Sequence, residues 1–238
     1  MSKTINTKIA DLKIKINYKY DFFKEFCSEY ISNENDSFDI CVKSNDEDIE
    51  NEHKAVPTAD VAVCESLCIY RAIANQLPAF ERFVFHGAAI EYNKGAYLFT
   101  APSGTGKTTH INLWKKNLGD KVDIINGDKP IIKVDDISTV YGTPWAGKEN
   151  LCRNASAPLK AICILKQSKT NEIEKINTTE AINHLMQQVY LPKNADALSK
   201  TLSLIGKLIE GTPVYLLGCD ISNKAFETAF NTLTKEEN

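Results

Sequence analysis

The alternation of apolar and polar residues predicts two strands and two helices in the first eighty positions. Apolar residues alternate with charged ones from Thr7 to Asn17, which predicts one half-buried strand, and Phe38–Val42 predicts another. A short helix between them is predicted from the aromatic residues Phe22, Phe23, Phe26 and Tyr30. The acidic stretch Ser44–Lys54 is interpreted as a solvated loop or edge. An apolar stripe at helical spacing then predicts a helix from about Asp60 to Leu77.

Short apolar runs in the middle of the chain predict a meander of strands. The meander consists of Phe83–His86, Ala88–Tyr92 and Ala96–Thr100. Asn93-Lys94-Gly95 predicts a hairpin turn between the last two, and a helical stretch follows from Thr108 to Asn117. Further strands are predicted at Val122–Asn126, at Ile131–Val134 and through Val140. Because hairpins and a helical crossover both occur, the sheet is predicted to be mixed.

The last part of the chain alternates strands and helices. A strongly apolar strand is predicted at Ala161–Leu165, followed by a last strand pair. The later elements are helices at Thr178–Val189 and Ala195–Ile209, a strand at Val214–Leu217 and a helix at Ser222–Leu233. This alternation predicts an α/β fold. We interpret residues 1–80 as an N-terminal α+β elaboration and residues 81–238 as the main domain.

Composition and charge exclude some classes of function. The chain has 238 residues, 43% of them hydrophobic, so it can bury a substantial core. A net charge of −3 gives no broad basic field, so nucleic acid is not expected as a partner. No apolar run approaches the ~20 residues of a spanning helix. The start, MSKTINTKIADLK, lacks the apolar core of a signal peptide, so we predict a cytoplasmic protein that does not bind membranes.

The seven cysteines fit reduced thiols in a chain without an export signal. Cys64 and Cys68 fall one helical turn apart, which is compatible with half of a metal site. No second pair of Cys or His follows at ligand spacing. We therefore interpret these two cysteines as core thiols.

The segment Phe99–Thr109 reads FTAPSGTGKTT and joins a buried strand to a helix through a loop of small residues. It meets the pattern GxxxxGK[ST] except that Ala101 occupies the first glycine position. Glycines let the backbone approach a phosphate closely, and the first helical turn leaves N–H donors unpaired. An anion is therefore predicted to face the N–H groups of Ser103, Gly104, Thr105 and Gly106. The alternative is a glycine-rich turn that only links the strand to the helix.

The residues after this loop add the charge and the metal ligand that phosphoryl transfer requires. Lys107 carries a positive charge toward the outer phosphates, and Thr108 places a hydroxyl where a nucleotide-bound Mg²⁺ needs an oxygen ligand. Thr109 completes the predicted nucleotide-binding residues. The segment therefore predicts a site for ATP, or another nucleoside phosphate, together with Mg²⁺.

Two further residues stand near the predicted phosphate site. Asp128 follows the apolar strand after the loop helix, and a right-handed crossover brings the end of that strand beside the phosphate loop. The alternative is a turn aspartate before Lys129-Pro130. His86 ends a strand of the same sheet, although a lone histidine is more often a structural group.

A loop of small and polar residues, Gly142–Asn150, is predicted to carry the acceptor side of the site. Lys148 lies in this loop and Arg153 lies just beyond it. Both can neutralise a second phosphate or an acidic acceptor, and both can equally be solvated surface charges.

Four segments together resemble the P-loop domain shared by HPr serine kinase/phosphorylase and phosphoenolpyruvate carboxykinase. More narrowly, they resemble the small stand-alone kinase-like proteins of that superfamily. The segments are FHGAAIEYNKGAYLFTAPSGTGKTT, INGDKP, YGTPWAGKEN and the apolar strand after PLK. The resemblance covers about Arg82 to Lys166. It implies a mixed-sheet P-loop domain of the HPr kinase/phosphoenolpyruvate carboxykinase type, preceded here by the N-terminal elaboration.

The resemblance also implies roles for individual residues. The family places a His-Gly pair like His86-Gly87 beside the transferred phosphate, and its loop Lys and Ser/Thr, here Lys107 and Thr108, bind phosphates and Mg²⁺. Two adjacent aspartates serve the family as metal partner and as base. This sequence has Gly127-Asp128 at that place. Asp128 is therefore predicted to be the metal partner, the base, or both.

Two hypotheses follow for the function. The first is a Mg-nucleotide-dependent kinase that phosphorylates a hydroxyl, either a serine of a peptide or protein or a small metabolite. The second is a nucleotide-binding regulatory module without phosphoryl transfer. His86, Asp128 and Lys148 favour the kinase, whereas Gly127 favours the module. A homo-oligomer is compatible with either hypothesis.

Overall fold

The chain begins with a β-hairpin where one strand was predicted. In the computed structural model, which describes residues 2–34 and 37–235, β1 covers Lys3–Ile9 and β2 covers Leu12–Tyr18. The two residues of the turn, Ala10 and Asp11, have left-handed φ angles of 51° and 60°. The prediction of one strand over Thr7–Asn17 was wrong. Ile9 pairs with Leu12 across the turn, so both strands present apolar residues and the alternation did not reveal the reversal.

The acidic stretch predicted as a loop is a helix. After α1 (Phe22–Phe26) and β3 (Ile40–Lys43), α2 covers Asp46–Ala55. The Asn45 side chain caps it by accepting a hydrogen bond from the Asp48 N–H. The acidic residues of the first turn face the positive end of the helix dipole, which favours the helix that composition alone did not indicate. Helix α3 (Val61–Ala74) follows, capped by the Asp60 side chain.

The remaining strands form one mixed sheet. They are β4 (Arg82–Val84), β5 (Ala88–Tyr92), β6 (Gly95–Thr100), β7 (Val122–Asn126), β8 (Ile131–Lys133), β9 (Thr139–Tyr141), β10 (Ser156–Gln167), β11 (Glu172–Lys175) and β12 (Val214–Cys219). Their order is β4-β8-β9-β10-β6-β5-β7, and β12 pairs with β10 and β11. β10 is parallel to β6 and β12 but antiparallel to β9. The mixed α/β fold predicted from the sequence is therefore present.

The connection through helix α4 (Lys107–Leu118) determines where the chain's polar loops meet. β5 lies between β6 and β7 and runs antiparallel to both. β6 and β7 therefore run in the same direction and end at the same edge of the sheet. The loop after β6 and the residues after β7 are brought together at this edge.

The last helices are α5 (Thr178–Leu185), α6 (Ala195–Gly211) and α7 (Asn223–Leu233). Helix α5 ends at Leu185, four residues before Val189, where the sequence predicted the end of this helix. A 3₁₀ turn, Met186–Gln188, follows it, and Val189 then forms an isolated bridge with Phe85. The prediction of a helix to Val189 was wrong because this pairing with the sheet outweighs the helical pattern.

The core has apolar clusters on both faces of the large sheet and a third beneath the N-terminal strands. α5 and α6 cover one face, whereas α4 and α7 cover the other. The third cluster joins β1, β2 and α3 to residues beyond position 80, among them Tyr141 and Trp145. The Trp145 indole packs against Phe26 and Tyr70 and donates a hydrogen bond to the Ser66 carbonyl at 3.2 Å. No helix among the described residues is long and apolar enough to cross a membrane.

Candidate functional site

The loop between β6 and α4, residues 101–106, has a backbone that only glycine accommodates at two positions. All six residues of β6 are buried, and the loop that follows begins with Ala101-Pro102-Ser103. Gly104 has a φ of 80°, and Gly106, the residue before α4, has a φ of 120°. Neither would bring an added Cβ within 4 Å of another atom. The glycines are therefore required by backbone conformation and not by crowding.

A cavity of about 490 Å³ lies against this loop. Four parts of the chain meet around it: the loop with the first turn of α4, the residues after β7, the Gly142–Asn150 loop, and the segment before β5. The lining residues are His86, Ser103, Gly104, Gly106, Lys107, Thr108, Thr109, Gly127, Asp128, Gly147, Lys148 and Glu149.

The turn that presents Asp128 is held by Asn126, the last residue of β7. Asn126 is fully buried, and its Oδ1 accepts hydrogen bonds from the backbone N–H groups of Asp128 and Lys129 at 2.9 and 2.7 Å. Its Nδ2 donates to the Thr143 carbonyl at 2.9 Å. Asn126 thus fixes the direction in which the Asp128 side chain leaves the strand.

The Asp128 carboxylate lies between two basic side chains. His86 Nε2 is 3.3 Å from Oδ1, and Lys129 Nζ forms an ion pair with Oδ2. Burial raises the pKa of Asp128, but hydrogen bonds from His86 and Lys129, with the charge of Lys129, outweigh it and lower the pKa from 3.8 to about 2. The carboxylate is therefore ionised at neutral pH.

His86 is anchored on both sides of its ring and through its backbone. Nδ1 lies 2.9 Å from Gln188 Oε1, and the His86 backbone N–H donates to the Gln188 carbonyl at 2.6 Å. The Thr100 hydroxyl donates to the His86 carbonyl at 2.8 Å. Because both ring nitrogens face acceptor oxygens, a protonated imidazole donates to Gln188 and Asp128 together.

Lys107 points back into the 101–106 loop. Its ammonium donates to the Ala101 carbonyl at 3.0 Å, and the residue is buried. Burial lowers the pKa of Lys107, and the nearby charge of Asp128 opposes that effect. The Thr105 backbone N–H, which the sequence predicted to face an anion, donates instead to the Pro102 carbonyl at 3.3 Å, which closes a turn within the loop. The buried Lys107 cation beside the loop favours the binding of a polyanion.

The Gly142–Asn150 loop brings one predicted residue to the cavity, whereas Arg153 just beyond it lies elsewhere. Gly147 has a φ of 79°, and an added Cβ would lie 3.1 Å from the Asp128 Cβ, so the close approach needs glycine. The exposed side chain of Lys148 lines the cavity. Arg153 instead pairs with Asp123 at 2.6 Å, both half exposed, outside the cavity lining.

The structure therefore brings together most of the residues singled out in the sequence. Thr105 lines a smaller adjoining cavity rather than this one. Sequence reasoning missed Asn126, Lys129, Glu149 and Gln188. Lys129 and Glu149 directly follow the predicted residues Asp128 and Lys148, so their positions in the sequence could have indicated them. Gln188 lies 102 residues from its partner His86, and no local pattern links them.

The oxygen atoms of the cavity fit Mg²⁺. Thr108 and Asp128 both line it and offer a hydroxyl and an ionised carboxylate. Mg²⁺ prefers oxygen ligands and is commonly held by one or two protein groups together with substrate phosphates. Both Asp128 oxygens already face basic side chains, His86 at Oδ1 and Lys129 at Oδ2, so a bound Mg²⁺ would share the carboxylate with them.

Comparisons with known proteins give one family and a distant structural likeness. A family model described as "ScmC: SynChlorMet cassette protein ScmC" matches residues 52–232, which is more than half of the chain. No curated protein matches. Among solved structures, the HPr(Ser) kinase/phosphatase from Coxiella burnetii is similar at 10% identity and a TM-score of 0.36, with 62% of this chain and 94% of that chain covered.

Proposed function

The chain belongs to the family of SynChlorMet cassette protein ScmC, and since that description names no reaction, we infer the activity from the cavity. We propose that the protein is a Mg-nucleotide-dependent kinase. In this proposal it transfers the terminal phosphate of ATP, or of another nucleoside triphosphate, to a hydroxyl. The acceptor is a serine of a peptide or protein, or a small metabolite.

One observation carries the proposal: Lys107, Thr108, Asp128 and His86 line the same cavity. They come from the start of α4, from the turn after β7 and from the segment before β5. Phosphoryl transfer depends mainly on positioning and on stabilising charge at the phosphate, and this set supplies both. A purely structural turn does not require these four side chains around one space.

Each side chain has a distinct proposed part. Lys107 and the N–H groups of the 101–106 loop bind the phosphates. Thr108 and Asp128 hold Mg²⁺, which when bound neutralises charge that develops on the phosphate. A carboxylate with a pKa of about 2 is a weak base at neutral pH, so we assign Asp128 to the metal rather than to the proton. We assign the contact with the transferred phosphate to His86, which lines the cavity 3.3 Å from that carboxylate.

The part of the cavity that the Gly142–Asn150 loop lines is the proposed acceptor side. Gly147, Lys148 and Glu149 line it. The glycine permits close approach to Asp128, and the two exposed charged side chains can orient a polar acceptor.

A second candidate is a nucleotide-binding module without transfer, and two contacts favour it. Lys129 already neutralises one Asp128 oxygen. An added Cβ at Gly127 would lie 3.2 Å from the Ala146 carbonyl oxygen and 3.4 Å from the Leu151 Cβ, so a second carboxylate fits there only if these neighbours shift. The turn after β7 therefore offers the single carboxylate of Asp128, where the family resembled has two.

Replacing Asp128 with Asn tests the kinase against the module. Asp123→Asn is the matched control, because Asp123 lies on β7, the strand that leads to Asp128, but pairs with Arg153 outside the cavity. Binding of Mg-ATP is measured by calorimetry, and ADP formation is measured with water and with pooled serine peptides. A kinase predicts that Asp128→Asn lowers turnover by about 10²- to 10³-fold, the scale for loss of one charge-stabilising group, while the control keeps the wild-type rate.

The two readouts separate the alternatives. Wild-type protein that binds Mg-ATP but forms no ADP with any acceptor supports the module. Wild-type protein that binds neither Mg-ATP nor any other Mg-nucleoside triphosphate refutes both candidates. Equal turnover in Asp128→Asn and wild type removes Asp128 from the mechanism.

A further inference from the structure

A second cavity of about 240 Å³ adjoins the first along α4. Gly106 and Thr109 line both cavities, so the two spaces meet at the start of the helix. The second cavity is mainly apolar, with Leu113, Leu165 and Ile221 in its lining. It is smaller than the ~300–1,000 Å³ of a site that holds a whole drug-sized ligand, which suits one part of a larger molecule.

His110, also in the lining, carries an unusual polar atom. The residue is 3% exposed, and among the described residues its Nδ1 has no hydrogen-bond partner. Leaving a buried polar atom unpaired is costly, and such atoms are few in folded proteins. The other ring nitrogen, Nε2, accepts a hydrogen bond from Trp114 Nε1 at 3.2 Å.

The hydrogen bond from Trp114 determines which ring nitrogen of His110 carries the proton. The Trp114 indole N–H can only donate, so Nε2 of His110 has to be the acceptor. Burial lowers the pKa of His110 from 6.5 to about 4, so the ring is neutral at neutral pH. The single proton therefore resides on Nδ1, which is a donor without an acceptor.

We propose that the second cavity binds the base of the nucleotide whose phosphates bind the 101–106 loop, and that His110 Nδ1–H donates to an acceptor atom on that base. The inference rests on the proposed function, since it extends the same ligand along α4. A nucleobase has two apolar faces, which can pack against the apolar lining, and it has ring nitrogen or carbonyl acceptors at its edge. Such an acceptor is the hydrogen-bond partner that His110 Nδ1–H lacks among the described residues.

The charge in the cavity favours a base over another phosphate. Asp220 lines it, and hydrogen bonds from Ser222 lower the pKa of its carboxyl, so it is ionised at neutral pH. A carboxylate repels a phosphate but accepts a hydrogen bond from an amino group of a base. Ile221, which is 79% exposed, lies in the same lining and would be covered by a flat ring.

The test compares nucleotides with a ligand that has the phosphates alone. The full chain is titrated in Mg²⁺ with ATP, GTP and methyl triphosphate. If the cavity binds a base, at least one nucleotide binds about 10-fold or more tightly than methyl triphosphate, the scale of stacking one base on a protein. His110→Gln keeps an acceptor near Nε2 for Trp114 but removes the donor at Nδ1, whereas the matched variant His110→Asn places an amide near Nδ1.

We expect His110→Gln to weaken nucleotide binding by about 3- to 10-fold and His110→Asn to weaken it less, the range for one net hydrogen bond. Neither variant should change the affinity for methyl triphosphate. Because a buried substitution can perturb folding, wild-type protein gives an independent measurement by ¹⁵N NMR of its histidines. The Nδ1 resonance of His110 should shift with the nucleotide but not with methyl triphosphate.

The outcomes distinguish this inference from the function on which it rests. Methyl triphosphate binding as tightly as both nucleotides overturns the base site and leaves the phosphate site standing. An unmoved His110 resonance in the presence of bound nucleotide overturns the assignment of His110. Failure of all three ligands to bind overturns the proposed function and this inference together.

Discussion

Replacing Gly106 with Ala tests whether the 101–106 loop owes its shape to glycine. Gly106 precedes α4 with φ of 120° and ψ of 22°, a combination outside the regions open to residues with a Cβ. The added methyl group meets no atom within 4 Å. Steric crowding therefore contributes nothing, and the whole effect arises from backbone conformation.

The magnitude follows from that conformation. A residue with a Cβ held in a sparsely populated backbone region costs about 1–3 kcal/mol. For a chain of this size, each 1 kcal/mol corresponds to roughly 2–4 °C in Tm. If the loop instead relaxes to a negative φ at residue 106, stability is recovered but the backbone that lines the cavity changes its shape. Either the free energy of unfolding or the affinity for Mg-ATP therefore has to fall.

Gly206→Ala is the matched control. Gly206 lies inside α6, and an added Cβ there also meets nothing within 4 Å. In a helix interior, alanine is more stable than glycine by about 0.5–1 kcal/mol. The same chemical change should therefore stabilise the protein at position 206 and impair it at position 106.

Urea unfolding and calorimetric titration with Mg-ATP are measured on both variants. A Gly106→Ala protein with wild-type stability and wild-type affinity for Mg-ATP would refute the reasoning. A loss of stability in Gly206→Ala would contradict the expectation that alanine stabilises the interior of α6.

Two further predictions concern the charged residues of the cavity. Lys148→Ala should raise the acceptor KM or lower the transfer rate more than it lowers nucleotide affinity, because the exposed Lys148 side chain lines the proposed acceptor side. Calorimetry measures the nucleotide affinity, and peptide phosphorylation measures the KM and the rate. An equal loss of nucleotide binding would assign Lys148 to the nucleotide side. The pKa of Asp128 in the folded protein is about 2, below its ordinary value of 3.8. The ionised Asp128 therefore contributes its full stabilisation above pH 3.8, and this stabilisation is lost as the pH falls toward 2. The difference in the free energy of unfolding between wild type and Asp128→Asn, measured in urea, should therefore shrink from pH 5 to pH 2.5, and a constant difference would contradict the shifted pKa.

Local chemistry made parts of the fold predictable. The buried run of β6 and the glycines after it indicate a strand, a tight loop and a helix within a few residues. The position of Asp128 follows from a general rule, because the ends of β6 and β7 meet at one edge of the sheet. In both cases the information lies in neighbouring residues or in a preference shared by α/β proteins.

Other parts depend on interactions that the local pattern does not contain. The helix at Asp46–Ala55 depends on the Asn45 cap, which an acidic composition concealed. The hairpin at Ala10-Asp11 preserves the alternation that one strand would give. Gln188 reaches His86 only because a 3₁₀ turn ends α5 early and returns the chain to the sheet. Tertiary pairing decided that feature against the local helical preference.

The burial of Trp145 makes the N-terminal segment part of the folding unit of the cavity. Its indole is held by Ser66, Phe26 and Tyr70, all of which precede residue 81. Two residues later, Gly147 lies against Asp128. A fragment restricted to residues 81–238 would expose this tryptophan to water and lose the support of the loop that reaches the cavity. Removal of the N-terminal residues should therefore yield an aggregation-prone protein in which the Gly142–Asn150 loop is displaced from the cavity. Tags and fusions at the C-terminus leave the contacts of Trp145 with Ser66, Phe26 and Tyr70 unchanged.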